Sequence, residues 1–280
     1  MFACSRIGRQ WWLMNPELRE PVRIVSDVHW RHSASLVRRA DQLAPLAEGA
    51  GTVVFNGDTV EQQGRARALE DAGRFRELCR KAGAEAVFVS GNHDPEVSDR
   101  GWLELAGGCV LATHGDVLFP EIASWKRGRS ELHAACERLS RNESTESFDD
   151  LLRSVREACV RVIREGRCPE VGIGFARILA RHGWPPVRPL RVLRCWAETG
   201  LRGASLAAHR GNGVRFVVMG HTHYPGVWHR NGCVVINTGS FFPVMGGSVV
   251  EVDKGFLNVR RVVRRRNAFH LAQLRGRWEV

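Results

Sequence analysis

Lysine is almost missing from this chain. Of its 41 basic residues only Lys81, Lys126 and Lys254 are lysines, and the other 38 are arginines. No apolar run approaches the roughly 18 residues that a membrane-spanning helix needs, so no spanning helix is expected. Residues 1–21 lack the long apolar core of a secretory signal, which predicts a cytoplasmic protein. The eight cysteines show no C-x-x-C spacing. Free thiols in a reducing compartment are therefore expected, rather than a disulfide framework or a zinc-thiolate site. Internal repeats and low-complexity tracts are also missing. With 44% hydrophobic and 25% charged residues, the chain is neither disordered nor collagen-like.

What is there is length for a sizeable core and an excess of positive charge. The 280 residues suit one large domain or two small ones. The formal charge is +11 and the sequence pI is near 10.1. Such a balance points to a polyanionic partner: nucleic acid, an acidic membrane surface or a phosphorylated substrate. Arginine forks suit phosphate, while a GC-rich coding sequence yields the same skew, and both readings stand.

Residues 22–118 alternate between strand-like and helix-like runs. Strands are predicted at Val22–Ser26, Thr52–Phe55, Ala86–Ser90 and Cys109–Thr113. Between them lie two stretches of helical spacing, one through Leu36, Val37, Ala40, Leu43 and Ala44, the other through Leu69, Ala72, Leu78, Cys79 and Ala82. This rhythm predicts an α/β layered fold with polar residues at the C-terminal strand ends. Residues 120–210 read as mostly helix. From Ser147 to Arg164 a capping-box-like start, Ser147 and Asp150, precedes one apolar stripe. Pro185, Pro186 and Pro189 interrupt the region before a further helix near Leu190–Leu201. Strands resume at Arg215–Met219 and Val234–Asn237. Val249–Asp253 and Phe256–Val263 read as a hairpin around Lys254-Gly255.

Five short blocks end or follow the predicted strands: Asp27-Val-His29, Gly57-Asp58, Gly91-Asn92-His93-Asp94, His114-Gly115-Asp116 and Gly220-His221-Thr222-His223. Each alone reads as a turn. Together they bring Asp, His and Asn side chains to one sheet edge. That mixed oxygen and imidazole set suits two divalent metals such as Mn²⁺, Fe²⁺ or Zn²⁺, with a shared carboxylate such as Asp58 between them.

The five blocks, in this order and at strand ends, resemble the calcineurin-like metallophosphoesterases, whose pattern is D-x-H, G-D-x-x-D/E, G-N-H-D/E, a later H, and G-H-x-H. The second block continues Gly57-Asp58-Thr59-Val60-Glu61, within that pattern. The likeness covers about residues 22–118 and 214–263. It implies an α/β (αββα) fold, a β-sandwich flanked by helices, carrying a helical cap insertion. It implies two divalent metal ions, with Mn²⁺ the foremost choice. Asp27, His29, Asp58 and His223 would hold the first, and Asp58, Asn92, His114 and His221 the second. It implies that water activated between the cations attacks phosphorus, that His93 protonates the leaving oxygen and that Asp94 orients the His93 ring.

Within that family the arrangement is similar to bacterial UDP-2,3-diacylglucosamine hydrolases, which cleave a pyrophosphate in a nucleotide-lipid at the membrane surface. The best-known of these carry Arg where this chain carries His93. That leaves a more general phosphoester or phosphodiester hydrolase open; hydrolysis of a phosphodiester or pyrophosphate bond is the leading expectation, and a nuclease or nucleotide phosphodiesterase is the alternative. A metal-free interaction scaffold is the reading of a different class, and every ligand position here is filled by a competent residue. The expected organisation is an N-terminal extension (1–21), a core (22–119 and 211–263), a helical cap (120–210) and a basic C-terminal tail (264–280).

Residues 120–210 carry 17 basic and 11 acidic side chains, residues 251–280 carry 8 and 3, and the remainder balances. Lys126, Arg127 and Arg129 are candidate phosphate contacts, or simply a solvated helix start. The Arg260–Arg266 run reads as a patch for an anionic membrane, or as an alternating strand with a solvated turn. A phosphorylated small molecule or nucleotide-lipid is the expected partner, with peripheral membrane contact and nucleic acid as further possibilities.

Overall fold

A computed structural model of the chain describes residues 18–62, 64–119, 148–164, 187–211 and 213–280. Two sheets lie face to face. The first has the strand order β11-β10-β9-β1-β2-β3 and the second β4-β5-β6-β8-β7. In the first sheet β1 (Val22–Val25), β2 (Thr52–Asn56) and β3 (Glu85–Val89) are parallel. There β9 (Gly247–Asp253), β10 (Phe256–Arg265) and β11 (Ala268–Glu279) follow antiparallel. In the second sheet β5 (Val110–Thr113), β6 (Phe216–Met219) and β8 (Cys233–Asn237) are parallel. Its edges are the antiparallel strands β4 (Trp102–Leu105) and β7 (Gly226–Arg230).

Strands β1, β2, β5, β6 and β8 are buried at every position. This is why apolar residues dominate them, since a parallel strand covered on both faces has no solvated side, and the one arginine among them, Arg23, is paired with Glu251. Their side chains alternate between two cores. Ile24, Val54, Val89, Ala112, Val218, Ile236 and Val250 pack between the sheets. Val25, Val53, Phe55 and Phe88 point outward, onto the helix Arg65–Lys81 through Ala68, Ala72, Phe75 and Cys79. On the far side, Leu111, Val217, Met219 and Val235 meet the helices Phe148–Arg164 and Val187–Arg210. The result is a four-layered α/β fold, two sheets flanked by helices.

The structure corrects several expectations. The helical spacing through Leu36–Ala44 yields only a 3₁₀ turn at Ala40–Leu43 and one helical turn at Ala44–Ala47. Ser35 competes there: its hydroxyl donates to Val28 O and accepts from Val37 N–H, so the backbone turns instead of coiling. Residues 264–280 are not a tail, because Ala268–Glu279 is the edge strand of the first sheet, paired along β10. Arginines cross the hairpin from both strands, the Arg264 guanidinium of β10 over the Phe269 ring and that of Arg277 over Phe256 at 3.9 Å, so part of this charge is spent on cation–π contacts. β4 and β7, both short edge strands, had no clear sequence signal. Pro189 does not precede the last helix but sits in its first turn, where its missing N–H costs nothing. Within the expected cap, both described helices belong to the outer layer of the second sheet. Ser147 of the capping box lies outside the described residues.

Candidate metal centre

The site forms where the loops leaving β1, β2, β3, β5 and β6 converge. Five of its side chains come from backbone in the left-handed region: Asp27 (φ 52°), His29 (49°), Asp58 (51°), His221 (64°) and His223 (60°). None is glycine, so each position stores strain of about 1–3 kcal/mol that the surrounding fold must offset. Gly57, at φ 82°, lets the chain turn under the His114 ring, on which any Cβ would fall.

All seven predicted ligand residues meet in one constellation, buried except for the partly exposed His223. Asp27, His29, Asp58 and His223 each turn a ligand atom into one group, and Asp58, His114 and His221 form another. Asp58 belongs to both. In the first, His223 Nε2 lies 3.1 Å from Asp27 Oδ1 and 3.1 Å from His29 Nε2. In the second, His114 Nε2 lies 3.2 Å from both Asp58 Oδ2 and Asn92 Oδ1, while His221 Nδ1 lies 2.8 Å from Asn92 Oδ1.

The outer nitrogens of three rings decide what the inner ones offer. His29 Nδ1 lies 2.7 Å from Glu61 Oε1, His114 Nδ1 3.2 Å from Asn56 O, and His221 Nε2 3.3 Å from Phe119 O. Each such partner is an acceptor, so the ring donates outward and its other nitrogen presents a lone pair inward. Carboxylate oxygens, an amide oxygen and imidazole lone pairs thus face one another at 2.8–3.7 Å. Acceptors at that distance repel unless a cation stands among them, so this donor set fits two divalent ions.

Protonation follows the same logic. Burial disfavours the charge on Asp27, but the His223, His29 and His114 rings around it together outweigh this and hold the carboxyl far below its usual range. Burial likewise opposes the charge on Asp58, which His114 and His93 still hold well down. His29 resists burial through Asp27, Glu61 and Asp58 and is raised well above the ordinary histidine value. His114, against the pull of burial, is pushed up to about 10 by Asp58. His221 goes the other way, down to about 3, through burial and the His114 charge. The two raised values mark His29 and His114 as the places in the cluster where positive charge is favoured.

The expectation that Asp94 orients the His93 ring does not match the geometry. Asp94 spends its oxygens on backbone, accepting from the N–H groups of Asp58, Thr59, Val60 and Gly91 at 2.7–3.2 Å. It is a clasp joining the β2 and β3 loops, and burial together with the Asp58 charge raises it to about 6. The carboxylate against the ring is Glu61, with Oε2 at 3.0 Å from His93 Nδ1. Its charge and that of Asp58 outweigh burial and raise His93 above the ordinary value. Glu61 had a visible signal, the last position of the second block, without a role attached to it. Two other contributors had none: the Phe119 carbonyl behind His221, and Trp196, whose Nε1–H donates to Thr222 O between the two histidines of the last block. Asp116 starts the 3₁₀ turn that delivers Phe119. Lys126, Arg127 and Arg129 lie outside the described residues.

A sequence model of the calcineurin-like phosphoesterases matches residues 20–225. The chain belongs to that family, and it is a metal-dependent phosphoric ester hydrolase. The family uses a dinuclear divalent metal site and acts on phosphorylated substrates. No curated protein sequence matches the chain. Among solved structures it is similar to a dimetal phosphatase from Danio rerio, at 14% identity and TM-score 0.44, over 90% of this chain and 99% of the other. It is also similar to Vacuolar Protein Sorting 29 from Cryptosporidium parvum, at 11% identity and TM-score 0.42, over 92% and 97%. A cold-active protein-tyrosine phosphatase of a psychrophilic Shewanella follows at 16% and 0.41, over 90% and 80%. Among the described residues no helix is long and apolar enough to cross a membrane.

Proposed function

We propose that this enzyme hydrolyses a phosphodiester or pyrophosphate bond, using two divalent cations that share Asp58. Asp27, His29 and His223 complete the first coordination set, and Asn92, His114 and His221 the second. The observation that carries this reading is the double membership of Asp58, whose carboxylate belongs to both ligand groups. The set mixes hard oxygen with borderline imidazole and contains no thiolate, which suits Mn²⁺, Fe²⁺ or Zn²⁺, and Mn²⁺ is the first cation to test.

When bound, such a pair supplies Lewis-acid polarisation of the phosphoryl oxygens and a water acidic enough to attack at neutral pH. The chain's own residues supply the rest. Asp27 and Asp58 offset the dication charge, while the neutral Asn92 amide adds a ligand without repelling an anionic substrate. Glu61, Asn56 O and Phe119 O hold three rings in the tautomers that face inward. His93 stands beside the cluster with its Nδ1 on Glu61. Its other ring nitrogen gives a proton to the leaving oxygen as the phosphorus–oxygen bond breaks. The exposed Tyr224 ring, stacked on Trp196 at 4.7 Å directly after His223, supports a second substituent on phosphorus, as a diester or pyrophosphate has and a monoester lacks. A nucleotide-linked substrate is the narrower form of this reading.

The test is Asp58→Ala, measured by metal content and by hydrolysis of bis(4-nitrophenyl) phosphate and of a nucleoside diphosphate ester. Loss of both metal equivalents and of hydrolysis is expected. Retention of full Mn²⁺-dependent activity overturns the proposal. Faster turnover of the nucleoside diphosphate ester by the parent enzyme supports the narrower form.

A further inference from the structure

The helix Phe148–Arg164 is joined to the loop after His93 by side-chain hydrogen bonds. Its apolar face, Leu152, Val155, Cys159 and Ile163, is buried against the second sheet's outer layer. Two arginines reach past that face to the loop after His93. Arg156 donates from Nε to Pro95 O at 2.6 Å and from Nη2 to Asp99 Oδ1 at 2.7 Å. Arg164 donates from Nη2 to Glu96 Oε1 at 2.7 Å.

Glu96 is not a surface residue that happens to face an arginine. It is 7% exposed, and Gln62 beside it is 1% exposed. The two hold each other twice: Gln62 Nε2 donates to Glu96 Oε2 at 2.6 Å, and Glu96 N–H donates to Gln62 Oε1 at 3.0 Å. Gln62 in turn donates its backbone N–H to His93 O at 3.1 Å. Its chain neighbour Glu61 holds the His93 ring. A continuous set of bonds therefore runs from Arg164 through Glu96 and Gln62 to both the backbone and the ring support of His93.

We infer that Arg164, acting through Glu96 and Gln62, is a positioning residue for His93. The helix is then a strap that sets where the proton donor stands. This rests on the reading of His93 as the donor to the leaving oxygen. The physical argument is that the buried Glu96 carboxylate is held by two side-chain donors, Gln62 Nε2 and Arg164 Nη2. Removing Arg164 leaves that carboxylate short of a donor, and it relaxes toward water, taking the Gln62 contact with it. A donor displaced by about 1 Å loses much of its effect on the bond being broken, while groups that bind phosphoryl oxygens are untouched.

The experiment compares Arg164→Ala, Arg164→Lys and His93→Ala with the parent on two phosphodiester reporters, one with a 4-nitrophenyl leaving group and one with unsubstituted phenyl. A good leaving group needs no proton and a poor one does. Arg164→Ala should lower kcat for the phenyl ester about tenfold, within the range a general acid supplies, and leave KM, metal content and the nitrophenyl rate near parent values. Arg164→Lys should restore most of the loss. Hydrogen exchange at the His93, Glu96 and Val97 amides should quicken in Arg164→Ala, with and without metal. Equal losses on both reporters, no loss, or unchanged exchange overturn the inference. If His93→Ala fails to discriminate between the reporters, the donor reading falls, and exchange alone decides the strap: faster exchange supports it and unchanged exchange overturns it.

Discussion

The carboxylate of Glu61 lies 3.0 Å from Nδ1 of His93. Its other oxygen lies 2.7 Å from Nδ1 of His29, so one side chain supports both a candidate ligand and the candidate proton donor. Burial works against its charge, yet His93 and His29 hold it well below the usual carboxylate range. Glu61→Ala is expected to lower metal affinity about tenfold, as loss of a ligand's outer partner does, and to lower kcat about 10²-fold by freeing the His93 ring. Metal titration followed by assay at saturating Mn²⁺ separates the two effects. An unchanged kcat at saturation would remove Glu61 from the proton-transfer machinery.

Metal binding is expected to release protons. His114 is pushed up to about 10, so at neutral pH a cation must displace its proton, and His29 adds a second. The sign for the metal-free protein follows from the raised value. The His114 contribution to stability is whole below 6.5, its ordinary value, and is lost as pH rises through about 10. Metal affinity runs the opposite way, rising with pH. Calorimetric titration of Mn²⁺ in buffers of different ionisation enthalpy measures the protons released, and a heat independent of buffer would contradict the assignment.

Asp94 joins two loops by accepting four backbone N–H groups. Asp94→Asn replaces one acceptor oxygen with a donor facing donors, so a loss of about 2–4 kcal/mol is expected from groups left unsatisfied. Denaturant unfolding of the metal-free protein reads it directly. If Asp94 acted chiefly on the His93 ring, stability would hold and only the rate would fall.

Gly91 lies under Asp58, and a Cβ there would fall on the Asp58 carboxylate and backbone N. Gly91→Ala is expected to displace the shared ligand and to reduce bound metal below two equivalents. The helix substitution Gly73→Ala is the control, because a Cβ there meets nothing within 4 Å and alanine favours helix. Elemental analysis of both purified variants decides the matter. Two full equivalents in Gly91→Ala would mean that Asp58 is free to move.

The candidate ligand residues were legible because they sit in short contiguous blocks where buried strands end. Strands such as Phe216–Met219 announce themselves by composition, and the polar residue that follows has one place to go. Glu61 and His93 were both visible as block members, but their pairing was not, since it joins residues 32 apart through the packing of β2 beside β3. Asp94 was misread for the same reason. Its neighbour in sequence is His93, but its partners in space are the N–H groups of another loop.

The residue types at the sheet edge, and with them the class of chemistry, were determined by the sequence itself. Local strand-to-turn rules suffice to bring Asp, His and Asn to one rim. Long-range packing fixes which acceptor sets each ring's tautomer, which carboxylate attends His93, and that Ala268–Glu279 pairs as an edge strand instead of trailing as a tail. The same contacts place the two described helices of the expected cap in the outer layer of the second sheet, one of them tied by Arg164 to the loop after His93. These depend on contacts between distant segments, whose energy comes from burial and complementary hydrogen bonds that no local pattern encodes.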